Sequence, residues 1–338
     1  MADGGEGTVE ALVSSTGGHI INSEVTGPLG DRVTAYWGIL RDKKTAVIEM
    51  ASASGINLVS SARLNPMIAT TRGTGELILR ALDNGFRTLI IGIGGSATND
   101  GGAGMAQALG VRLLDKESND IEPGGAALQN LDRIDISGLD ARIKECTITV
   151  ACDVTNTLCG SQGASFVYGP QKGASQEMCQ QLDIALAHYA AIVQRDLGLD
   201  ILNIAGGGAA GGLGAGLVAF LGAKLLPGVH IVIEAVELEN YLKNADLLFT
   251  GEGKVDSQTM YGKTVTGIAG KAKQFNVPVI VIAGAIEGTG EELYRHGVTA
   301  ILSTAPGPIT LEESVANAWN LIADCAERAM RLLLTNSG

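Results

Sequence analysis

The chain has 338 residues, 46% of them hydrophobic, with 24 Lys and Arg against 36 Asp and Glu and a formal net charge of −12. That length and a mean hydropathy of +0.22 allow two cored domains, and a pI near 4.8 excludes a surface made to hold nucleic acid or an anionic membrane. Five cysteines without C-x-x-C spacing and four scattered histidines suggest neither a disulfide framework nor a zinc site, which fits a reducing cytoplasm.

The first residues have no basic region followed by an apolar core, so they do not read as a signal peptide. Residues 8–16 read as an amphipathic helix with Thr8 as its N-cap. From 20 to 50 the pattern turns to strands, 20–25, 32–40 and 45–50, separated by turns at 27–30 and 41–44, which predicts an antiparallel meander. Helices are expected near 75–83, 102–109 and 175–196, and strands at 88–93, 111–114 and 148–152.

Residues 204–223 carry no charge over about a bilayer-spanning length. Their eight glycines, with Leu213, Leu217, Val218, Phe220 and Leu221 at helical spacing, fit a glycine-rich loop opening a buried helix better than a membrane span. In the carboxyl third, short apolar strands at 247–253, 277–284 and 299–303 alternate with helices near 262–275 and 288–296 and precede a terminal helix at 311–333. Continuous apolar strands alternating with helices predict an α/β fold with a parallel sheet covered on both faces. Three strands are few for a doubly wound sheet, so this part is expected to need strands from elsewhere.

The stretch 89–110 holds the strongest signal, an apolar strand running into Gly92-Ile-Gly-Gly-Ser-Ala-Thr-Asn-Asp-Gly-Gly102 and then a helix. Glycines interleaved with hydroxyl, amide and carboxylate groups at a strand end suit close approach of a ligand to the backbone. Gly92-x-Gly94-x-x-Ala97, with Asp115 about 20 residues on, also matches a dinucleotide fingerprint and would make the chain an NAD-type oxidoreductase. Against that, Asp100 stands where a pyrophosphate would be repelled unless a metal ion intervened, which reads better as a Mg-nucleotide feature.

Three more segments read as ligand loops: Asp153-Val-Thr-Asn156, residues 206–216, and Gly251-Glu-Gly-Lys-Val-Asp-Ser257. The last would deliver Glu252, Lys254 and Asp256 to the carboxyl end of a parallel strand. Phosphoryl transfer uses these types, a carboxylate for Mg²⁺ or a hydroxyl proton and a lysine for charge on the moving group. No G-x-x-x-x-G-K-[ST] loop occurs, which excludes a Walker-type ATPase. Candidates for phosphate or nucleotide contact are Gly94, Gly95, Ser96, Thr98, Asn99, Gly101, Gly207, Gly208, Gly251, Glu252 and Gly253.

The segments 92–102, Ala151-Cys-Asp-Val-Thr-Asn156, Phe166-Val-Tyr-Gly-Pro-Gln-Lys-Gly-Ala174, Ala205-Gly-Gly-Gly-Ala-Ala-Gly-Gly-Leu-Gly214 and Thr250-Gly-Glu-Gly-Lys-Val-Asp-Ser-Gln258 resemble, in order and spacing, the bacterial type of the glycerate kinase family. The resemblance covers essentially the whole chain. It implies phosphorylation of D-glycerate by ATP with Mg²⁺, at the 2-hydroxyl. It also implies a flavodoxin-like domain built from residues 1–17 and 245–338, with a second α/β domain, residues 18–244, inserted into it. Family members carry a β-strand, an Asp-Ser-Phe-Lys-type loop, a helix and a strand before the counterpart of Ala2 to Thr8. By that comparison the chain lacks a leading β-α-β unit of roughly forty residues. A misplaced start, a gene fragment or an inactive relative would each account for that. An open sheet edge would then favour aggregation or a homodimer.

For the site, Lys254, Asp256, Asp100 and Asp153 are expected to be catalytic, with Asp100 or Asp153 the Mg²⁺ ligand and the base left open among Asp100, Asp153 and Asp256. Asp3 and Glu6 are placed by the resemblance at a strand-to-helix junction facing the same crevice. The cations expected to hold the glycerate carboxylate are Arg63, Arg72 and Lys172, arginine for its bidentate fork.

Overall fold

The computed structural model describes residue 5, residues 7–256 and residues 263–334. Asp3 and Glu6 lie outside the described residues. The chain divides into two compact units, Met1–Val232 and Ile233–Gly338.

The first unit opens with helix α1 (Thr8–Thr16), strands β1 (His19–Thr26), β2 (Arg32–Ile39) and β3 (Thr45–Glu49), and a short helix α2 (Ala51–Ser54). Helix α3 (Arg72–Asp83), strand β4 (Thr88–Gly92), helix α4 (Ala103–Ala108) and strands β5 (Arg112–Leu114), β6 (Arg133–Asp135) and β7 (Thr147–Ala151) follow. Helices α5 (Ala164–Tyr168), α6 (Gln176–Leu197) and α7 (Leu213–Leu221) lead to strand β8 (Lys224–Leu226). Six strands form one sheet in the order β1-β2-β3-β4-β7-β8. The meander β1-β2-β3 is antiparallel, whereas β3, β4, β7 and β8 run parallel. The division follows the sequence: β1 is largely exposed, while β3 and all but the first residue of β4 are buried, as helix-covered parallel strands must be.

Helix α1 packs against β1, β2 and β3 in this unit. Its Val9, Leu12 and Val13 are buried, and a Cβ on Gly38 of β2 would lie 2.4 Å from Val13 Cγ2, so only glycine lets the helix approach. Thr8 is not its N-cap: Gly7, at φ 87°, takes that place, and the Thr8 hydroxyl donates back to the Gly5 carbonyl at 2.7 Å. Helix α6 follows its sequence signals, with the Ser175 side chain capping the Met178 N–H and Gly198 in the left-handed region ending it.

Helix α8 (Gly228–Ala235) spans the boundary, which falls twelve residues before the expected one at 244/245. The second unit contains helix α9 (Leu238–Leu242), strand β9 (Leu248–Val255), helix α10 (Lys263–Gln274), strand β10 (Val279–Ile286), helix α11 (Glu291–Arg295), strand β11 (Ala300–Ser303) and helices α12 (Leu311–Ala316) and α13 (Ala318–Leu334). Its sheet is parallel, in the order β11-β10-β9. Strand period 2 sends Val279 and Val281 to one face with Val265, Ala269 and Leu293, and Ile280 and Ile282 to the other with Cys325 and Ala329 of α13. Helices therefore cover both faces. No helix among the described residues is long and apolar enough to cross a membrane.

Candidate active site

Register brings the carboxyl ends of the parallel strands of the first unit into one row. Glu49 pairs with Gly92, Gly92 with Ala151, and Ala151 with Leu226. The loops that follow those residues therefore open on the same rim, where α/β sheets bind ligands. A cavity of about 350 Å³ lies there, lined by Gly5, Ile93, Gly94, Gly95, Ser96, Ala151, Cys152, Asp153, Val154, Tyr168, Gln171, Lys172, Ala209 and Ala210.

Lys172 is the unusual group in this wall. It follows α5 and is 1% exposed, yet lines the cavity. Its Nζ donates to Ser96 Oγ at 2.7 Å and to the Thr98 carbonyl at 2.6 Å. Burial pushes its ammonium down to about 7, against the pull of nearby Asp100. Lysine rather than arginine fits here, since a compact ammonium on a long stem can be buried and can change protonation.

Asp100 is also fully buried, and its oxygens are already engaged. Oδ2 accepts from the Thr71 N–H at 2.8 Å, the Thr71 hydroxyl at 2.9 Å and the Gly104 N–H at 3.2 Å, and Oδ1 from the Gly102 N–H at 3.1 Å. The Thr71 hydroxyl in turn accepts from the Met105 N–H at 2.9 Å. Burial raises the carboxyl, and the four donors pull it back. Asp100 is absent from the cavity lining, so its geometry is that of an anchor beneath the glycine loop. Asp153, on the cavity wall, accepts the Gly228 N–H on Oδ1 at 3.2 Å.

Of the phosphate-facing candidates, Gly94, Gly95 and Ser96 line the cavity, while Thr98, Asn99 and Gly101 lie beneath it. Asn99 Nδ2 donates to Ser165 Oγ at 3.0 Å, and Thr98 Oγ1 and Asn99 Oδ1 are buried with no hydrogen-bond partner among the described residues. From the second glycine segment it is Ala209 and Ala210 that reach the cavity, not Gly207 and Gly208, whose N–H groups bond to the Ile204 and Asn156 carbonyls. The two glycine loops interlock: Gly101 N–H donates to the Gly211 carbonyl at 3.0 Å, and a Cβ on Gly211 would sit 2.0 Å from the Thr98 carbonyl oxygen. With φ at 67° as well, Gly211→Ala is expected to destabilise the chain by several kcal/mol, on the order of 3. Urea unfolding of the variant checks it.

The arginines fall elsewhere. Arg63 pairs with Asp31 at 3.2 Å and Arg72 with Glu76 at 3.5 Å, both half-exposed or more and neither lining the cavity. Asp115 also turns out to be local. Its Oδ1 accepts the N–H groups of Glu117 and Asn119 at 3.0 and 2.9 Å, and β5 before it pairs antiparallel with β6 in a separate two-stranded sheet. The parallel strand that a dinucleotide fingerprint needs at that point is therefore absent from the described fold, and the oxidoreductase reading is dropped.

In the second unit, β9 runs to Val255, two residues further than expected. Gly251, Glu252, Gly253 and Lys254 thus belong to the strand, and period 2 puts Glu252, Lys254 and Asp256 on one side of it. Lys254 Nζ lies 3.4 Å from Asp256 Oδ2 and 2.5 Å from Glu287 Oε2 at the end of β10. Glu287 raises the lysine above its usual range, so it stays protonated at neutral pH.

The profile of the glycerate kinase family matches residues 1–334. The chain belongs to the glycerate kinase family. Among its relatives are the glycerate kinase of Bacillus subtilis (strain 168), 53% identical over 98% of this chain and 86% of that one, and the glycerate 2-kinase of Escherichia coli (strain K12), 52% identical over 95% and 84%. A crystal structure from Salmonella typhimurium LT2, assigned as a glycerate kinase 2, superposes with a TM-score of 0.89 at 52% identity, over 100% of this chain and 88% of the other. The α/β fold and the family expected from the five motifs agree with these findings. Not read from the motifs were Gly5, Cys152, Tyr168 and Gln171 on the cavity wall. Tyr168 and Gln171 stood within one quoted motif, with Lys172 the only member singled out.

Proposed function

We propose that this chain transfers the γ-phosphoryl group of ATP to the 2-hydroxyl of D-glycerate, in the cytoplasm and with Mg²⁺. The observation that carries the reading is the cavity at the parallel-strand rim, where a carboxylate, a buried lysine and the Gly94-Gly95-Ser96 turn face one space. The names of its relatives support glycerate as substrate, and that of the Escherichia coli relative the 2-hydroxyl.

In this reading the hydroxyl oxygen forms a bond to the γ-phosphorus, the bond to the bridging oxygen breaks, ADP leaves, and the hydroxyl proton passes to a carboxylate. Among the described residues no group of three or more His, Cys, Asp or Glu could hold a metal alone. Mg²⁺ is commonly held by one or two carboxylates together with the phosphates it accompanies. Asp153 is the carboxylate assigned to it. The ion would neutralise charge on the phosphate oxygens. Backbone N–H groups of Gly94 and Gly95 and the Ser96 hydroxyl are assigned to anionic oxygens, and Lys172 to the glycerate carboxylate. Lys254, held protonated by Glu287 and 3.4 Å from Asp256, is suited to offsetting charge and not to accepting a proton.

A coupled assay of ADP release with D-glycerate, and phosphorus NMR of the product, tests the reaction and its regiochemistry. Production of 3-phosphoglycerate alone would refute the 2-hydroxyl assignment. Asp153→Asn, Lys254→Ala and Asp256→Asn are each expected to lower kcat by about a hundredfold or more with folding intact. Near-wild-type turnover in any of them removes that residue from the mechanism.

A further inference from the structure

Glu49 ends β3 and is completely buried, at 0% exposure. Its Oε2 accepts the Val9 N–H in the first turn of α1 at 3.3 Å, and its Oε1 accepts the Tyr36 hydroxyl at 3.1 Å. A first-turn N–H that the helix leaves without an intrahelical partner, and the positive end of the helix dipole, thus meet an anion from another element. Glu49 is not in the cavity wall, but both segments it joins adjoin residues that are. Ahead of that first turn, the Gly5 carbonyl accepts the Thr8 hydroxyl, and Gly5 lines the cavity. After Glu49 the main chain runs along the glycine loop: Met50 N–H donates to Gly92 O at 2.9 Å, Ile56 N–H to Gly95 O at 2.8 Å, and Ser54 O accepts the Ala97 N–H at 3.0 Å.

We infer that Glu49 is a positioning residue, whose carboxylate holds the first turn of α1 and so fixes the Gly5 wall of the cavity against the Gly94-Gly95-Ser96 wall. It touches no reacting atom. Its effect is on how tightly the cavity holds substrate, because small misplacements of a binding wall are costly. The inference rests on the cavity being the site of phosphoryl transfer.

The test compares wild type, Glu49→Ala and Glu49→Gln by steady-state kinetics with D-glycerate and Mg-ATP, and by hydrogen exchange of the amides in residues 5–9. Glu49→Ala is expected to raise KM for one substrate by about tenfold or more, to change kcat by less than about threefold, and to speed exchange in residues 5–9. Glutamine keeps an acceptor oxygen for the Val9 N–H and is expected to return KM to within about threefold of wild type. A Glu49→Ala variant with a lower melting temperature but wild-type KM values would show a merely structural role and overturn the inference. A fall in kcat at constant KM would overturn it too, since that marks a group acting on the transition state. If Glu49→Ala does not fold, Val9→Pro removes the donor at a first-turn position that tolerates proline, and the same rise in KM is required of it. Absence of glycerate-dependent turnover in wild type overturns both the site and this inference, whereas normal turnover with unchanged KM in the variants overturns this inference alone.

Discussion

Replacing Lys172 by methionine is expected to lower kcat/KM for D-glycerate by about a hundredfold or more while leaving the chain folded. The ammonium lines the cavity and bonds to Ser96 Oγ and the Thr98 carbonyl, so its removal takes a positive charge from beside the glycine loop. The same substitution has a distinct signature in stability. Burial lowers this lysine from its ordinary value of 10.5 to about 7. Between those two values the unfolded chain binds more protons than the folded one at this group, so its contribution to stability rises with pH across that window. Below about 7 both states are protonated and the full cost of burying the charge applies. Melting temperatures at pH 6 and pH 9 are therefore expected to differ more in wild type than in Lys172→Met, with wild type gaining on the variant at the higher pH. Binding has the opposite sign, because only the protonated amine attracts a carboxylate. KM for D-glycerate is expected to rise as pH passes about 7 in wild type and to lose that dependence in the variant. A KM independent of pH from 6 to 9 in wild type would rule out the carboxylate-binding role.

Asp100→Ala is expected to cost about 3–5 kcal/mol, as when one partner of a buried charged network is removed. That is a large share of the roughly 5–15 kcal/mol that keeps a domain folded. The substitution leaves the Thr71, Gly102 and Gly104 N–H groups and the Thr71 hydroxyl buried without their acceptor, and takes away the anion that favours charged Lys172. Urea unfolding measures the loss. The double variant Asp100→Ala with Lys172→Met should lose less than the sum of the two singles, since groups in one network couple. Strict additivity would show that the two side chains act independently.

Local pattern was enough for most of the fold. Apolar runs such as 88–93 and 277–284 announced buried strands, Ser175 and Gly198 bracketed the long helix α6, and the five co-ordered motifs carried the family. These signals lie within one element or one loop, where period, capping and turn chemistry act over a few residues. Strand β8, three residues long, was too short to show a period, and β9 ran past the glycines that looked like its end. The site needed relations between distant segments. Sequence placed Asp100 among the catalytic groups because it follows a strand within a glycine loop, but its Oδ2 is engaged by Thr71, 29 positions away, and its Oδ1 by the Gly102 N–H. Arg63, Arg72 and Lys172 were equivalent as cations in the sequence. Packing alone buried Lys172 against Ser96 and Thr98 and left the arginines paired on the surface. The type and order of chemical groups were thus determined by the sequence. Which of them share one cavity was decided by tertiary register, Glu49 to Gly92 to Ala151 to Leu226, because side-chain burial and hydrogen-bond satisfaction depend on neighbours that no local pattern names.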